Sequence, residues 1–222
     1  MTARLECYFD YRSPFPYLAI EPIAELAAKH SVSVDWIPIR LPRLSSYRDR
    51  PMGHSFPKRN DYVARDLQRW AERRGVEIRT PDVLADAASR APGSSEAIKG
   101  RDHPLNTDDL LRGAVLARRS GKLEVYHRAA YQTLWGSGLP DTLEVALTRA
   151  IEAIGEDLVS FRESLAAGDV DAELGELTEV ADRRGVFGVP TFFVGEEMFW
   201  GQDRIDFVEE AVEEALAQGR TS

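Results

Sequence analysis

One cysteine, Cys7, occurs in 222 residues. A single thiol cannot close an intramolecular disulfide or cycle as a dithiol pair, so dithiol–disulfide exchange within the chain is excluded. Cys7 lies in a strand-like segment, where a buried, inert thiol is expected. Histidine is also scarce. His30, His54, His103 and His127 are scattered, no two at i, i+4, and no Cys/His cluster has ligand spacing, so no metal is expected. No apolar run reaches the roughly 18–20 residues that a membrane span requires. The opening residues 1–7 lack a basic segment followed by an apolar stretch, so the expectation is no secretory signal and a cytoplasmic protein. Positive charge is in deficit, with 28 Lys and Arg against 37 Asp and Glu and a net charge of −9. Without a basic cluster to track a phosphate backbone, nucleic acid is not an expected partner. The run Glu209, Glu210, Glu213 and Glu214 reads as the solvated face of a last helix. A small anionic ligand would need locally placed positive groups, because the global field repels it.

What is present suffices for an ordinary globular core, with 43% hydrophobic and 29% charged residues. Residues 4–9 alternate as a first strand, with Leu5, Cys7 and Phe9 on one face. Ser13-Pro14 is a helix start, a hydroxyl N-cap before proline, and the helix is expected to reach about Lys29 with a kink at Pro22. Residues 32–39 form a second strand, and strand–helix–strand implies a parallel pair. From about 57 to 184 only helical periodicity is found. Helices fit 57–74, 107–119, 122–135, 141–154, 157–166 and 170–184. The first places Tyr62, Val63, Leu67, Trp70 and Ala71 on one face, and Asp141 with Glu144 suggests a capping box. Residues 80–105, rich in Pro, Gly, Ser and charge, read as a long loop or a partly helical excursion. Strand character returns in Thr191–Val194 and Glu197–Trp200 around Gly195-Glu196, a hairpin signal. A last amphipathic helix carries Ile205, Val208, Ala211, Val212 and Ala215 inward. The order is therefore β-α-β, a helical block, then β-β-α. That is an α/β chain with a thioredoxin-like fold, built from residues 1–41 and 185–222, with a large all-helical insertion over 42–184.

Three segments have the means for chemistry. In Phe9-Asp10-Tyr11-Arg12-Ser13-Pro14-Phe15-Pro16-Tyr17-Leu18, a hydroxyl follows a strand and opens a helix. Backbone N–H groups and the helix dipole favour an anion there, a thiolate included. Thioredoxin folds carry their nucleophilic cysteine at this position, and here it is Ser13. A plain N-cap is an equally good account of Ser13 on these residues alone. In Gly185-Val186-Phe187-Gly188-Val189-Pro190-Thr191-Phe192, a strand begins after an X-Pro bond, where the fold holds a cis-proline whose preceding residue can pair with an extended peptide. In Phe199-Trp200-Gly201-Gln202-Asp203-Arg204, Asp203 is a good N-cap with acceptor sites to spare for an ammonium group.

The motifs SPFPYLA, DYVARDLQRWAERRG and GVFGVPTFFVGEEMFWGQDR resemble those of the 2-hydroxychromene-2-carboxylate isomerases, with the kappa-class glutathione transferases as near relatives. The likeness runs through nearly the whole chain. It implies a glutathione site between the thioredoxin-like part and the insertion, and a homodimer. It gives Ser13 the role of hydrogen-bonding the glutathione sulfur, Val189 before Pro190 that of pairing with the cysteinyl backbone, and Asp203 that of holding the γ-glutamyl ammonium, with Gln202 beside it. A glutathione carboxylate falls to Lys58 or Arg59, and Asn106 matches an asparagine at the mouth of the site. The chain departs from the pattern at Pro16, commonly serine, at Arg12, often apolar, and in the length of 80–102.

The resemblance implies that glutathione is a cofactor. Its thiolate, favoured by Ser13 and the helix N-terminus, would add reversibly to an aromatic unsaturated keto acid and allow cis–trans rotation. Phe15, Tyr17, Tyr62 and Trp200 are candidates for the apolar wall of a small aromatic substrate, although each also fits an ordinary core role. Two alternatives stand beside this one: a kappa-like transferase that consumes glutathione, and a non-catalytic binding protein that keeps the fold and the cleft.

Overall fold

The computed structural model describes residues 4–48, 57–81, 105–136 and 143–219, with backbone alone at 57–60. Leu5–Phe9 forms β1, Phe15–His30 α1, Val34–Pro38 β2, Thr191–Val194 β3 and Glu197–Trp200 β4. They make one sheet of order β2-β1-β3-β4. β1 and β2 are parallel, whereas β3 runs antiparallel to β1 and to β4. The period-2 alternation of β1 sends Leu5, Cys7 and Phe9 to one face and Tyr8 to the other. The first face is covered by α1 and by the last helix, α9 (Ile205–Gly219), through Ile23, Leu26, Val208 and Val212. The hairpin and the inward residues of α9 match the sequence expectation.

Between β2 and β3 the described elements are helical. A 3-10 turn at Leu41–Arg43 leads to α2 (Ser45–Arg48), then α3 (Pro57–Arg74), α4 (Asp108–Arg119), α5 (Leu123–Tyr131), α6 (Leu143–Ala153), α7 (Leu158–Leu165) and α8 (Gly168–Arg183). The expected loop at 80–105 and the Asp141 capping box fall mostly outside the described residues. The main core runs without a break from β1 and α1 into α4–α8. A second cluster lies behind the sheet, where Tyr8, Ile37 and Phe193 meet Ala181 and Val186. A third joins α3 to α1 through Leu67, Ala71 and Leu18.

Four local expectations change. Residues 132–136 form a π turn rather than a continuation of the preceding helix. The indole N–H of Trp135 donates to the Tyr11 carbonyl at 2.9 Å, and this tertiary bond lies where the helical ladder is interrupted. Tyr62 is 55% exposed and not on the packed face, which Leu67 and Ala71 form. Asp203 does not sit at the helix boundary, because α9 begins at Ile205; its carboxylate pairs with Arg204 at 3.3 Å. Ser13 is not the N-cap of α1: Pro14 holds that position with no side-chain cap hydrogen bond, and the Ser13 hydroxyl accepts the Phe15 N–H only at 3.4 Å.

At the centre of the main core, His127 is fully buried against Phe9, Trp36 and Tyr131, with ring centroids at 4.1, 4.7 and 4.8 Å. Neither ring nitrogen, nor the nearby Tyr11 hydroxyl, has a hydrogen-bond partner among the described residues. Burial lowers the imidazole pKa to about 3, so the ring is neutral in the folded protein at physiological pH. The unfolded chain takes up this proton near pH 6.5, and the folded chain does not until about pH 3. Stability is therefore full above that window and is lost as pH falls through it. Between pH 7 and pH 5 this group alone removes about 2 kcal/mol of unfolding free energy. Urea unfolding of wild type and His127→Leu at both pH values measures it: the loss on acidification should be about 2 kcal/mol smaller in the variant.

Candidate active site

Asp10 follows β1 directly and is wholly buried. Its Oδ1 accepts the Arg12 N–H at 2.9 Å and the Thr107 hydroxyl at 3.0 Å, and its Oδ2 accepts the Leu41 N–H at 2.9 Å. Its carbonyl accepts the Tyr131 hydroxyl at 2.8 Å and the Ser13 N–H at 3.1 Å. Burial raises the carboxyl pKa, and the Arg12 N–H, the Arg12 charge, the Leu41 N–H and the Thr107 hydroxyl oppose that rise. With donors on both oxygens, the geometry is that of a carboxylate. The turn that presents Ser13 is therefore held from β1, from the 3-10 turn after β2, from the start of α4 and from α5.

Ser13 itself is half-buried at the N-terminal end of a helix with no acidic residue in its first turn. That end is electropositive and suits an anion. The Val189-Pro190 bond is cis. Thr191, the residue after Pro190, pairs with Tyr8 at the end of the β1–β3 register, so the cis-proline turn enters the sheet at the strand that leads to Asp10 and Ser13. The turn is braced by the Thr191 hydroxyl, which donates to the Gly188 carbonyl at 2.7 Å. The Gly201 N–H donates to the Pro190 carbonyl at 2.9 Å and ties the 201–204 loop to the same spot. Neither the N–H nor the C=O of Val189 pairs with a backbone group among the described residues. The candidate site thus combines a helix N-terminus with a cis-proline turn whose Val189 backbone groups have no backbone partner among the described residues.

Gln202 is 3% exposed, and its side-chain oxygen has no hydrogen-bond partner among the described residues. Asp203 beside it is exposed. Asn106 is exposed, with its side-chain oxygen accepting the Asp108 N–H at 3.2 Å as a cap on α4. The side chains of Lys58 and Arg59 lie outside the described residues. Among the aromatic candidates, Phe15 packs against the α1–α3 cluster. Tyr17 stacks on Tyr131 with centroids 6.0 Å apart. Trp200 is half exposed and meets Phe187 at 4.8 Å, so these two rings form an aromatic surface beside the cis-proline turn. The sequence reading missed Asp10 and Phe187 as site residues. The dyad at 187 and 200 was within its reach, since both rings flank recognised motifs.

Gly201 has φ +113°, and a Cβ there would lie 2.5 Å from an Asp203 oxygen. Gly195, at φ +62°, has nothing within 4 Å of such a Cβ. Alanine at 195 meets backbone strain alone, about 1–2 kcal/mol. Alanine at 201 meets that strain and must also displace the Asp203 carboxylate. Chemical denaturation should show Gly201→Ala as the more destabilising of the two, by about 1 kcal/mol or more.

The comparisons with known proteins agree with this architecture. Residues 4–213 match the model of the DSBA-like thioredoxin domain family. The chain is 30% identical over 217 residues to the 2-hydroxychromene-2-carboxylate isomerase of Pseudomonas sp. (strain C18), covering 97% of this chain and 92% of that one. Against the protein of the same name from Pseudomonas putida it is 30% identical over 210 residues, covering 94% and 93%. A solved 2-hydroxychromene-2-carboxylate isomerase superposes with a TM-score of 0.77 at 27% identity, over 98% of each chain. The family match over residues 4–213, with 30% identity to these relatives across nearly the whole chain, establishes that the chain belongs to the 2-hydroxychromene-2-carboxylate isomerases within the DSBA-like thioredoxin family.

Proposed function

We propose that this protein is a glutathione-dependent cis–trans isomerase of an aromatic unsaturated keto acid. The observation that carries the reading is Ser13, in place of a nucleophilic cysteine, at an electropositive helix end in a fold that also holds a cis-proline turn, in a chain whose end-to-end relatives are isomerases. The one thiol of the chain, Cys7, is fully buried, and burial raises its pKa well above the ordinary value. Thiol chemistry at Ser13 therefore needs a thiol from outside.

The residues present fit glutathione. The unpaired Val189 N–H and C=O suit the backbone of an extended peptide, as β-strand addition requires. The buried side-chain oxygen of Gln202, without a partner among the described residues, and the exposed carboxylate of Asp203 suit the ammonium of an α-amino-acid end. Glutathione, when bound, supplies a thiolate that adds reversibly to the conjugated ketone and is regenerated unchanged.

The protein's own contribution is positional and electrostatic. Ser13 offers its hydroxyl as a hydrogen-bond donor to the sulfur, and the first-turn amides of α1 add the field of the helix end, both favouring thiolate over thiol. Val189 fixes the cysteinyl unit alongside β3, so the sulfur meets Ser13 at a set distance. Asp203 and Gln202 hold the γ-glutamyl end. The Phe187–Trp200 surface offers the planar substrate an apolar face.

A titration of glutathione into wild type and Ser13→Ala, followed by calorimetry and thiolate absorbance, tests this reading. Wild type should bind and lower the thiol pKa. Ser13→Ala should still bind, lose the lowered pKa, and fall about a hundred-fold in turnover of 2-hydroxychromene-2-carboxylate. Glutathione should remain at its initial concentration through many turnovers. Its stoichiometric consumption would move the assignment to a transferase.

A further inference from the structure

Pro22 sits inside α1, and a proline has no N–H to give to the carbonyl four residues back. The Leu18 carbonyl is therefore left without its helical donor. Arg74, the last residue of α3, supplies one through Nη1. Its other terminal nitrogen, Nη2, donates to the Gln202 carbonyl at 2.6 Å. The guanidinium also lies over the Trp70 ring at 5.3 Å from the centroid. One side chain from the helical block thus ties the helix that carries Ser13 to the loop that carries Gln202 and Asp203.

We propose that Arg74 is a positioning residue of the glutathione site, fixing the Gln202–Asp203 loop at a set distance from the Ser13 helix. This rests on the glutathione reading above. A tripeptide bound across the cleft has its sulfur at one of these elements and its γ-glutamyl end at the other, so their separation sets how well both ends are held at once. The choice of arginine follows from the geometry. A planar fork offers two N–H groups in fixed directions to two carbonyls, which the point charge of a lysine does not. Arg74 makes no direct carboxylate hydrogen bond among the described residues; burial lowers its pKa, and the nearby charges of Asp206 and Asp203 oppose that.

The brace separates two effects that a merely structural residue would mix. Asp10, not Arg74, holds the Ser13 turn, so loss of Arg74 should weaken glutathione binding and leave the pKa of the bound thiol in place. In Arg74→Met, the dissociation constant for glutathione should rise by about ten-fold or more. The Gly201 and Arg204 amides, which bond to Pro190 and Gly201 in the wild type, should exchange with deuterium faster even without ligand. Amides of β3 should not change. Arg74→Lys should restore little of the affinity. Pro22→Ala provides a second route that leaves Arg74 intact. It returns an N–H to the Leu18 carbonyl, competes with the brace, and should speed exchange in the loop while the melting temperature holds or rises.

Unchanged loop exchange in Arg74→Met overturns the brace. Faster exchange with unchanged glutathione affinity overturns its part in the site, as does a shift in thiol pKa equal to that of Ser13→Ala. Wild type that fails to bind millimolar glutathione overturns the glutathione reading itself, a result distinct from wild type and Arg74→Met binding equally well.

Discussion

The buried carboxylate of Asp10 is the interaction on which the arrangement of the site depends. Burying one ionised carboxylate costs several kcal/mol unless its oxygens are satisfied, and here three donors from three parts of the chain meet them. The cost makes the geometry exclusive. Leu41 must open its 3-10 turn at one place, Thr107 must enter α4 at one place, and the 10–13 turn must close between them. Tyr131 adds a hydroxyl to the Asp10 carbonyl, so α5 is fixed to the same point. A fold assembled from a split sheet and a helical block thus meets at one residue, three positions before Ser13.

Much of the fold was legible in the sequence because its signals are local. Alternation marked β1 and the hairpin, and 3.6-residue periodicity marked the helices of the middle block. The π turn at Gln132–Gly136 was not legible, since the carbonyl that Trp135 reaches belongs to Tyr11, 124 positions away in sequence. The start of α2 was missed for the same kind of reason: the Ser45 N–H and hydroxyl both find Asp182, 137 residues on. Pro22 announced an interrupted helix, but nothing local to it announced Arg74 as the donor that answers the freed carbonyl. Asp203 carried a cap's residue type at nearly a cap's position, and the helix began two residues later.

The site was legible in its parts and less so in its supports. Ser13, Val189 and Pro190 stand in motifs whose chemistry is set by helix ends and by the proline itself. Asp10 shows in sequence only as an acid after a strand, a residue type that is usually solvated. Its role needs the burial that the tertiary structure provides. Serine stands where a thioredoxin fold carries its nucleophilic cysteine, and Cys7 is fully buried, so the helix end can favour a thiolate without supplying one. The proposed function divides the labour accordingly: a bound peptide would bring the sulfur, and the protein the field and the alignment.

The most direct test of this account is the thiol pKa of bound glutathione in Asp10→Asn, read by thiolate absorbance alongside urea unfolding. An amide in place of the carboxylate turns a donor toward at least one of the Arg12, Leu41 and Thr107 donors. The account predicts a loss of about 1–3 kcal/mol of stability, together with a thiol pKa that returns toward the free value even though Ser13 is untouched. A folded Asp10→Asn protein with wild-type stability and a wild-type thiol pKa would contradict it.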